Sequence, residues 1–140
     1  MNKSAITALP CAGLIYIKER KLLLAFSINK QCFYLPGGKI SAGESAAEAL
    51  CREIAEEMNV HIEKNALEFY THISAPAYGE AIGIIMEQEC FLLKENINPV
   101  AAAEIGELRY FSLPDYLLQP NQAPGAIMVL QQLKQDGLID

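Results

Sequence analysis

Tryptophan is absent from this chain, and histidine occurs only at His61 and His72. Two imidazoles with no third ligand or paired nucleophile nearby exclude a zinc constellation and a His-activated nucleophile, so both are read as surface or structural side chains. Basic residues are also scarce: 11 Lys and Arg stand against 17 Asp and Glu, for a net charge of −6. With a pI near 4.9 the chain lacks the basic face that duplex nucleic acid requires. Cys11, Cys32, Cys51 and Cys90 contain no CxxC pair, and the apolar content is ample for a core without a disulfide framework. They read as reduced thiols, mostly buried, in a cytoplasmic protein. No apolar run approaches the ~18 residues of a membrane span. The uncharged stretch Ser4 to Ile17 is interrupted by Pro10 and Gly13 and no small-residue cleavage site follows, which argues against a signal peptide. Repeats, low-complexity tracts and long linkers are missing too, so 1–140 reads as a single domain.

What remains is a mixed pattern of strands and two helices. Cys11 to Lys18 and Leu22 to Phe26 read as a hairpin around a turn at Glu19 to Lys21, with Arg20 a solvated turn residue. Gln31 to Leu35 reads as a strand feeding a turn at Pro36, Gly37 and Gly38. Further strands are expected at Val60 to Ile62, Leu67 to Ser74, Ala81 to Leu93 and Glu107 to Phe111, with a loop at Ala75 to Gly79. Glu87 and Glu89 share one alternation of their strand, which predicts a half-exposed face. A final helix from about Ala123 to Gln135 carries Ile127, Leu130 and Leu133 on a core-facing stripe. The pattern by itself defines a mixed α and β domain.

Most of the legible chemistry lies between Gly38 and Val60. Ser45 and Glu48 stand at capping-box spacing, good helix formers run to Met58, and Asn59 tolerates the left-handed conformation of a helix C-terminus. On that helix Glu53, Glu56 and Glu57 are spaced i, i+3, i+4 and share one face. Clustered carboxylates repel one another unless a cation neutralises them, and an all-oxygen donor set suits Mg²⁺ or Mn²⁺ better than zinc. The alternative is a solvated acidic helix face. Strand, glycine-rich turn and helix is also the layout of phosphate-binding loops, but the Lys-Ser/Thr of a Walker site is missing.

Gly38, Glu44, Arg52, Glu53, Ile54, Glu56, Glu57 and Val60 fall at the spacings of the Nudix box, and the chain resembles a Nudix hydrolase of the MutT-like kind. The late glycine of the box is the one departure, with Asn59 in its place, a mild change because Asn is the next choice for that backbone conformation. The resemblance implies an α/β/α sandwich with a mixed β-sheet between helices. It also implies a Mg²⁺ cofactor, with Mn²⁺ as the alternative, held by Glu56 and Glu57 as core ligands, by Glu53, and by the Gly38 carbonyl. Glu53 is the leading candidate for the base or water-orienting ligand, and Arg52 orients a catalytic glutamate by charge-assisted hydrogen bonds. Glu44 steadies the loop or joins a second metal through water. A loop glutamate further on often assists such sites, and Glu104 and Glu107 are the two candidates for that part.

The implied activity is hydrolysis of a phosphoanhydride bond of a small nucleotide, giving a nucleoside monophosphate and pyrophosphate from a triphosphate, canonical or oxidised. Lys39, Phe33, Asn121 and Tyr78 are the candidate substrate-binding residues. Asn121 after Pro120 matches the asparagine with which MutT-like members read a purine edge, while Phe33 occupies a position where an aromatic often packs before Leu-Pro-Gly-Gly. Pro76 and Tyr78 point instead to ADP-ribose and dinucleoside polyphosphate hydrolases. The shortness of the chain favours a triphosphate, with ADP-ribose or another nucleoside-diphosphate-linked compound as the alternative. A non-catalytic nucleotide-binding module is a third reading, weakened because Arg52, Glu53, Glu56 and Glu57 are all present. No membrane partner is expected, and monomer and homodimer both remain open.

Overall fold

The computed structural model describes residues 6–140. In chain order its elements are β1 (Thr7–Ile15), β2 (Ile17–Lys18), β3 (Lys21–Ser27), β4 (Cys32–Tyr34), β5 (Gly37–Lys39), α1 (Ala46–Met58), β6 (Leu67–Pro76), β7 (Ile84–Leu93), β8 (Ile105–Phe111), α2 (Leu113–Tyr116) and α3 (Pro124–Gln135). One sheet has the order β5-β1-β7-β6, with β1 parallel to β7 and the other two pairs antiparallel. In the second, antiparallel sheet β3 pairs with β2, β4 and β8.

Alternation along β1 and into Tyr16 just beyond its end explains the layering. Ala12, Leu14 and Tyr16 pack with Leu50, Ile54 and Met58 of α1, whereas Ile15 packs with Val129, Leu130 and Leu133 of α3. The β layer is thus apolar on both faces and lies between α1 and α3, the expected α/β/α arrangement. Each fully buried Leu or Ile in these two cores contributes roughly 1.5–3 kcal/mol of transfer free energy. Among the described residues no helix is long and apolar enough to cross a membrane.

The N-terminal hairpin differs from the sequence reading. Its first strand begins at Thr7 and breaks at Tyr16, so β1 joins one sheet and β2 the other. Tyr16 is buried at the break, where its hydroxyl accepts a hydrogen bond from the Ile97 amide at 3.2 Å. Glu19 and Arg20 take φ of 51° and 62°, as a two-residue primed hairpin turn demands. Arg20 does more than face solvent: its guanidinium pairs with Asp140 at 2.6 Å and donates to the Gly137 and Ile139 carbonyls, fastening the C-terminal end of the chain to the hairpin. The expected glycine turn at 36–38 is partly a strand, because Gly37–Lys39 forms β5 against β1. Val60 to Ile62 is irregular rather than extended. β6 runs two residues beyond the expected end, taking in Ala75 and Pro76, and β7 begins at Ile84 rather than Ala81.

Candidate active site

The acidic helix is built as its sequence suggests. The Ser45 hydroxyl accepts from the Glu48 amide at 3.1 Å, the Glu48 carboxylate accepts from the Ser45 amide at 2.8 Å, and Asn59 closes the helix at φ 55°. Leu50, Ile54 and Met58 bury one stripe of α1 and fix its rotation. That rotation turns Glu53 and Glu57 toward β5 and leaves Glu56 more exposed. At the helix C-terminus the Met58 and Glu57 carbonyls accept from the Val100 and Ala102 amides at 3.0 and 2.9 Å. These two bonds satisfy otherwise orphaned carbonyls and draw the 100–104 segment, with Glu104, alongside the helix.

Two glycines of β5 make the close approach possible. A Cβ on Gly38 would lie 2.5 Å from the Glu53 carboxyl carbon, so only glycine lets that carboxylate rest against the backbone. Gly37 has φ 140°, a Cβ there would lie 2.0 Å from the Ala12 carbonyl oxygen, and its amide donates to Glu57 Oε1 at 3.0 Å. Arg52 then ties the loop to the helix. Its Nε and Nη2 meet the two Glu44 oxygens at 2.7 and 2.9 Å, Nη1 meets Glu53 Oε2 at 2.7 Å, and Nη2 donates to the Lys39 carbonyl at 3.2 Å. Glu56 Oε1 lies 3.7 Å from the same guanidinium.

The carboxylates of this group sit in contrasting environments. Arg52 and the Ser41 amide hold Glu44 down at about 2. Burial pushes Glu57 up to about 8, and the charges of Glu53, Glu104 and Glu56 add to the push against the single Gly37 hydrogen bond. Glu57 is 7% exposed, a nearly buried acid facing other acids with no cationic partner of its own among the described residues. This donor set fits a hard divalent cation. Among the described residues no group of three or more Asp, Glu, His or Cys side chains is gathered closely enough to hold a metal ion by itself, so waters or substrate oxygens would have to complete the shell of a cation bound here.

Beside the carboxylates opens a cavity of about 310 Å³ between the two sheets, floored by β1 and β7 and flanked by the start of α3. Gly38, Lys39, Glu53, Glu57, Tyr78 and Glu104 line it. Other expected site residues lie elsewhere. Glu107, on β8, pairs with Arg109 at 2.8 Å. Phe33 is buried and stacks edge-to-face with Phe26 and Phe111, at 5.0 Å from each ring. Asn121 spends its amide on the Gln31 carbonyl at 2.8 Å. The sequence reading missed Tyr34, Lys30, Glu80, Met86 and Gln88, all on the cavity wall. Gln88 left a trace, since it is the lone polar residue on the alternation opposite Glu87 and Glu89.

Residues 9–133 match the family model for the NUDIX domain, and the chain belongs to that family. Over 72 residues, 49% of this chain, it is 38% identical to an ADP-ribose pyrophosphatase from Methanocaldococcus jannaschii, a stretch that spans only 43% of that relative's length. The fold is similar to a MutT NUDIX hydrolase from Burkholderia pseudomallei, with TM-score 0.75 and 21% identity over 91% of this chain and 98% of that one. It is similar also to the MutT protein from Methanosarcina mazei Go1, with TM-score 0.75 and 17% identity over 96% and 99% of the two chains. At these identities the structural likeness is one of fold. Nudix hydrolases generally need divalent metal ions.

Proposed function

We propose that this chain is a Mg²⁺-dependent nucleotide pyrophosphohydrolase that cleaves a phosphoanhydride bond of a nucleoside triphosphate, giving a monophosphate and pyrophosphate. The observation that carries the reading is Glu57, a nearly buried carboxylate facing other carboxylates at the end of a nucleotide-sized cavity. Glu53, Glu56 and Glu57, with the Gly38 carbonyl, are the groups that would hold the cation, and when bound it supplies phosphate charge neutralisation and a more acidic water. Arg52 keeps Glu53 in position through the 2.7 Å ion pair and clamps Glu44, which braces the loop. Glu53 is the candidate base. Glu104, on the cavity wall, is the better placed of the two loop glutamates to assist it. Lys39 offers an ammonium group to a phosphate, and Tyr78 an aromatic ring to a base. The four free thiols accord with a cytoplasmic protein.

A second reading, hydrolysis of ADP-ribose, is favoured by the name of the Methanocaldococcus jannaschii relative and by Pro76 on the cavity wall. Identification of the products formed with Mg²⁺ and then Mn²⁺ separates the two, with nucleoside monophosphates, sugar phosphates, phosphate and pyrophosphate each quantified across canonical and 8-oxo triphosphates, ADP-ribose and dinucleoside polyphosphates. Pyrophosphate from one triphosphate supports the first reading. AMP and ribose phosphate from ADP-ribose, with idle triphosphates, supports the second. Silence across the panel removes both and leaves a binding module.

A further inference from the structure

One buried polar side chain of the cavity has no part in the chemistry proposed above. Among the described residues the buried polar or charged ones are Ser27, Glu57 and Gln88, and Gln88 is 6% exposed in the middle of β7. Strand register fixes where it lies. Lys39, Cys11, Gln88 and Ile73 form one row across β5, β1, β7 and β6, so at ~4.8 Å per strand Gln88 sits roughly 10 Å from the β5 backbone against which the Glu53 and Glu57 side chains of α1 rest.

Room for the amide is built into β1. A Cβ on Gly13 would lie 2.8 Å from Gln88 Nε2 and 2.9 Å from Cδ, so any larger residue there would displace the side chain. The amide's own bonding is poor. Among the described residues its one hydrogen bond is from the Cys90 thiol to Oε1 at 3.7 Å, a weak donor at long range. Among the described residues no fully buried side-chain nitrogen or oxygen lacks a partner, so the amide nitrogen, with no protein partner of its own, opens onto the cavity and is free to donate there. The adjoining wall is apolar, with Leu9, Leu35, Pro76 and Met86, and the nearby Lys30 is engaged by Glu80 at 3.0 Å. Such a surface suits a flat heterocycle and offers nothing to a phosphate.

We infer that Gln88 is a specificity-determining residue, whose carboxamide hydrogen-bonds the donor-acceptor edge of the substrate's nucleobase while the phosphates lie at the carboxylate end. The inference rests on the nucleotide-hydrolase reading. A site that hydrogen-bonds a polar edge discriminates strongly because a wrong partner leaves the buried amide unpaired.

The test compares wild type with Gln88→Leu and Gly13→Ala on the four common ribonucleoside triphosphates and on base-free ribose 5-triphosphate, with melting temperature recorded for each. For Gln88→Leu the ratio of kcat/KM on the preferred triphosphate to that on ribose 5-triphosphate should fall about 100-fold, and the order among bases should flatten, without loss of melting temperature. Gly13→Ala, which crowds the amide but keeps it, should shift the same ratio in the same direction by a smaller factor. An unchanged ratio overturns the inference. So does an equal loss on all substrates accompanied by a lower melting temperature, the signature of a structural strut. Should the wild type hydrolyse none of them, binding of the corresponding monophosphates is measured by calorimetry. Base preference present in wild type and lost in Gln88→Leu then upholds the inference while the catalytic reading fails, and absent preference defeats both.

Discussion

Two groups of carboxylates lie on this molecule, and they have opposite needs. On the exposed face of β6 and β7, Glu87 and Glu89 hold the two nitrogens of His72 at 2.7 Å each, and Ser74 adds a hydroxyl to Glu87 at 2.6 Å. The hydroxyl and the imidazole pull Glu87 below the usual carboxylate range, and the two glutamates raise His72. That cluster is complete as it stands. At the edge of α1 the Arg52 guanidinium is consumed by Glu44 and Glu53, and Glu57 is left buried and pushed up to about 8. Acidic residues at short spacing are therefore weak evidence of a metal site, and burial without a protein counter-charge is the stronger sign.

Removing the uncompensated carboxylate should have the largest consequence. Glu57→Gln keeps shape and deletes charge, so Mg²⁺-dependent turnover should fall on the order of 10³-fold. Undiminished pyrophosphate release would end the metal assignment and with it the contrast between the clusters. Arg52→Lys comes next. A lysine retains the charge but cannot span Glu44 and Glu53 together, so activity should fall roughly 10- to 100-fold through mispositioned carboxylates. Steady-state kinetics should place that loss mainly in kcat, and a wild-type kcat for Arg52→Lys would make the guanidinium a loop brace alone.

Local chemistry made α1 readable in advance. Ser45, Glu48 and Asn59 act within a few residues of one another, and the i, i+3, i+4 spacing of the glutamates is a property of the helix itself. Whatever depended on distant strands was not readable. The break at Tyr16 follows from the competition of two sheets for one extended segment, and β5 forms because Gly37 can touch the Ala12 carbonyl. Glu104 is brought to the cavity by the Ala102 amide binding a helix carbonyl, a contact with no local signature. Asn121 and Phe33 occupy suggestive positions in sequence, yet turn to Gln31 and to a cluster of phenylalanine rings. Gln88 became interpretable only when register set it opposite Cys11 with its amide folded over Gly13.

The buried acid also predicts a pH signature smaller than the kinetic losses. Its folded pKa of about 8 lies above the ordinary 4.5, so the folded state binds the proton more tightly than the unfolded chain does. The resulting stability is fully present below pH 4.5 and is lost as pH rises through 8, a sum on the order of a few kcal/mol. A cation that binds the ionised form should oppose the loss. Melting curves should therefore show a larger rise on adding Mg²⁺ at pH 8 than at pH 6, and Glu57→Gln should flatten the difference. A rise equal at both pH values would mean that Glu57 is no metal ligand.

The weakest effect belongs to the completed cluster. His72 has its pKa raised by Glu87 and then Glu89, so its contribution is present below the ordinary 6.5 and disappears as pH rises through the folded value. The groups face solvent, so water and salt screen the pairing and its contribution is small. His72→Gln should lower the melting temperature slightly at pH 5.5, hardly at all at pH 9, and leave Mg²⁺-dependent turnover intact at both. A carboxylate pair freed of its imidazole on an open surface is relieved by water and salt, a remedy closed to Glu57. If turnover instead collapsed in His72→Gln, the far face of β6 and β7 would be coupled to the site, and burial would cease to be the property that separates the two clusters.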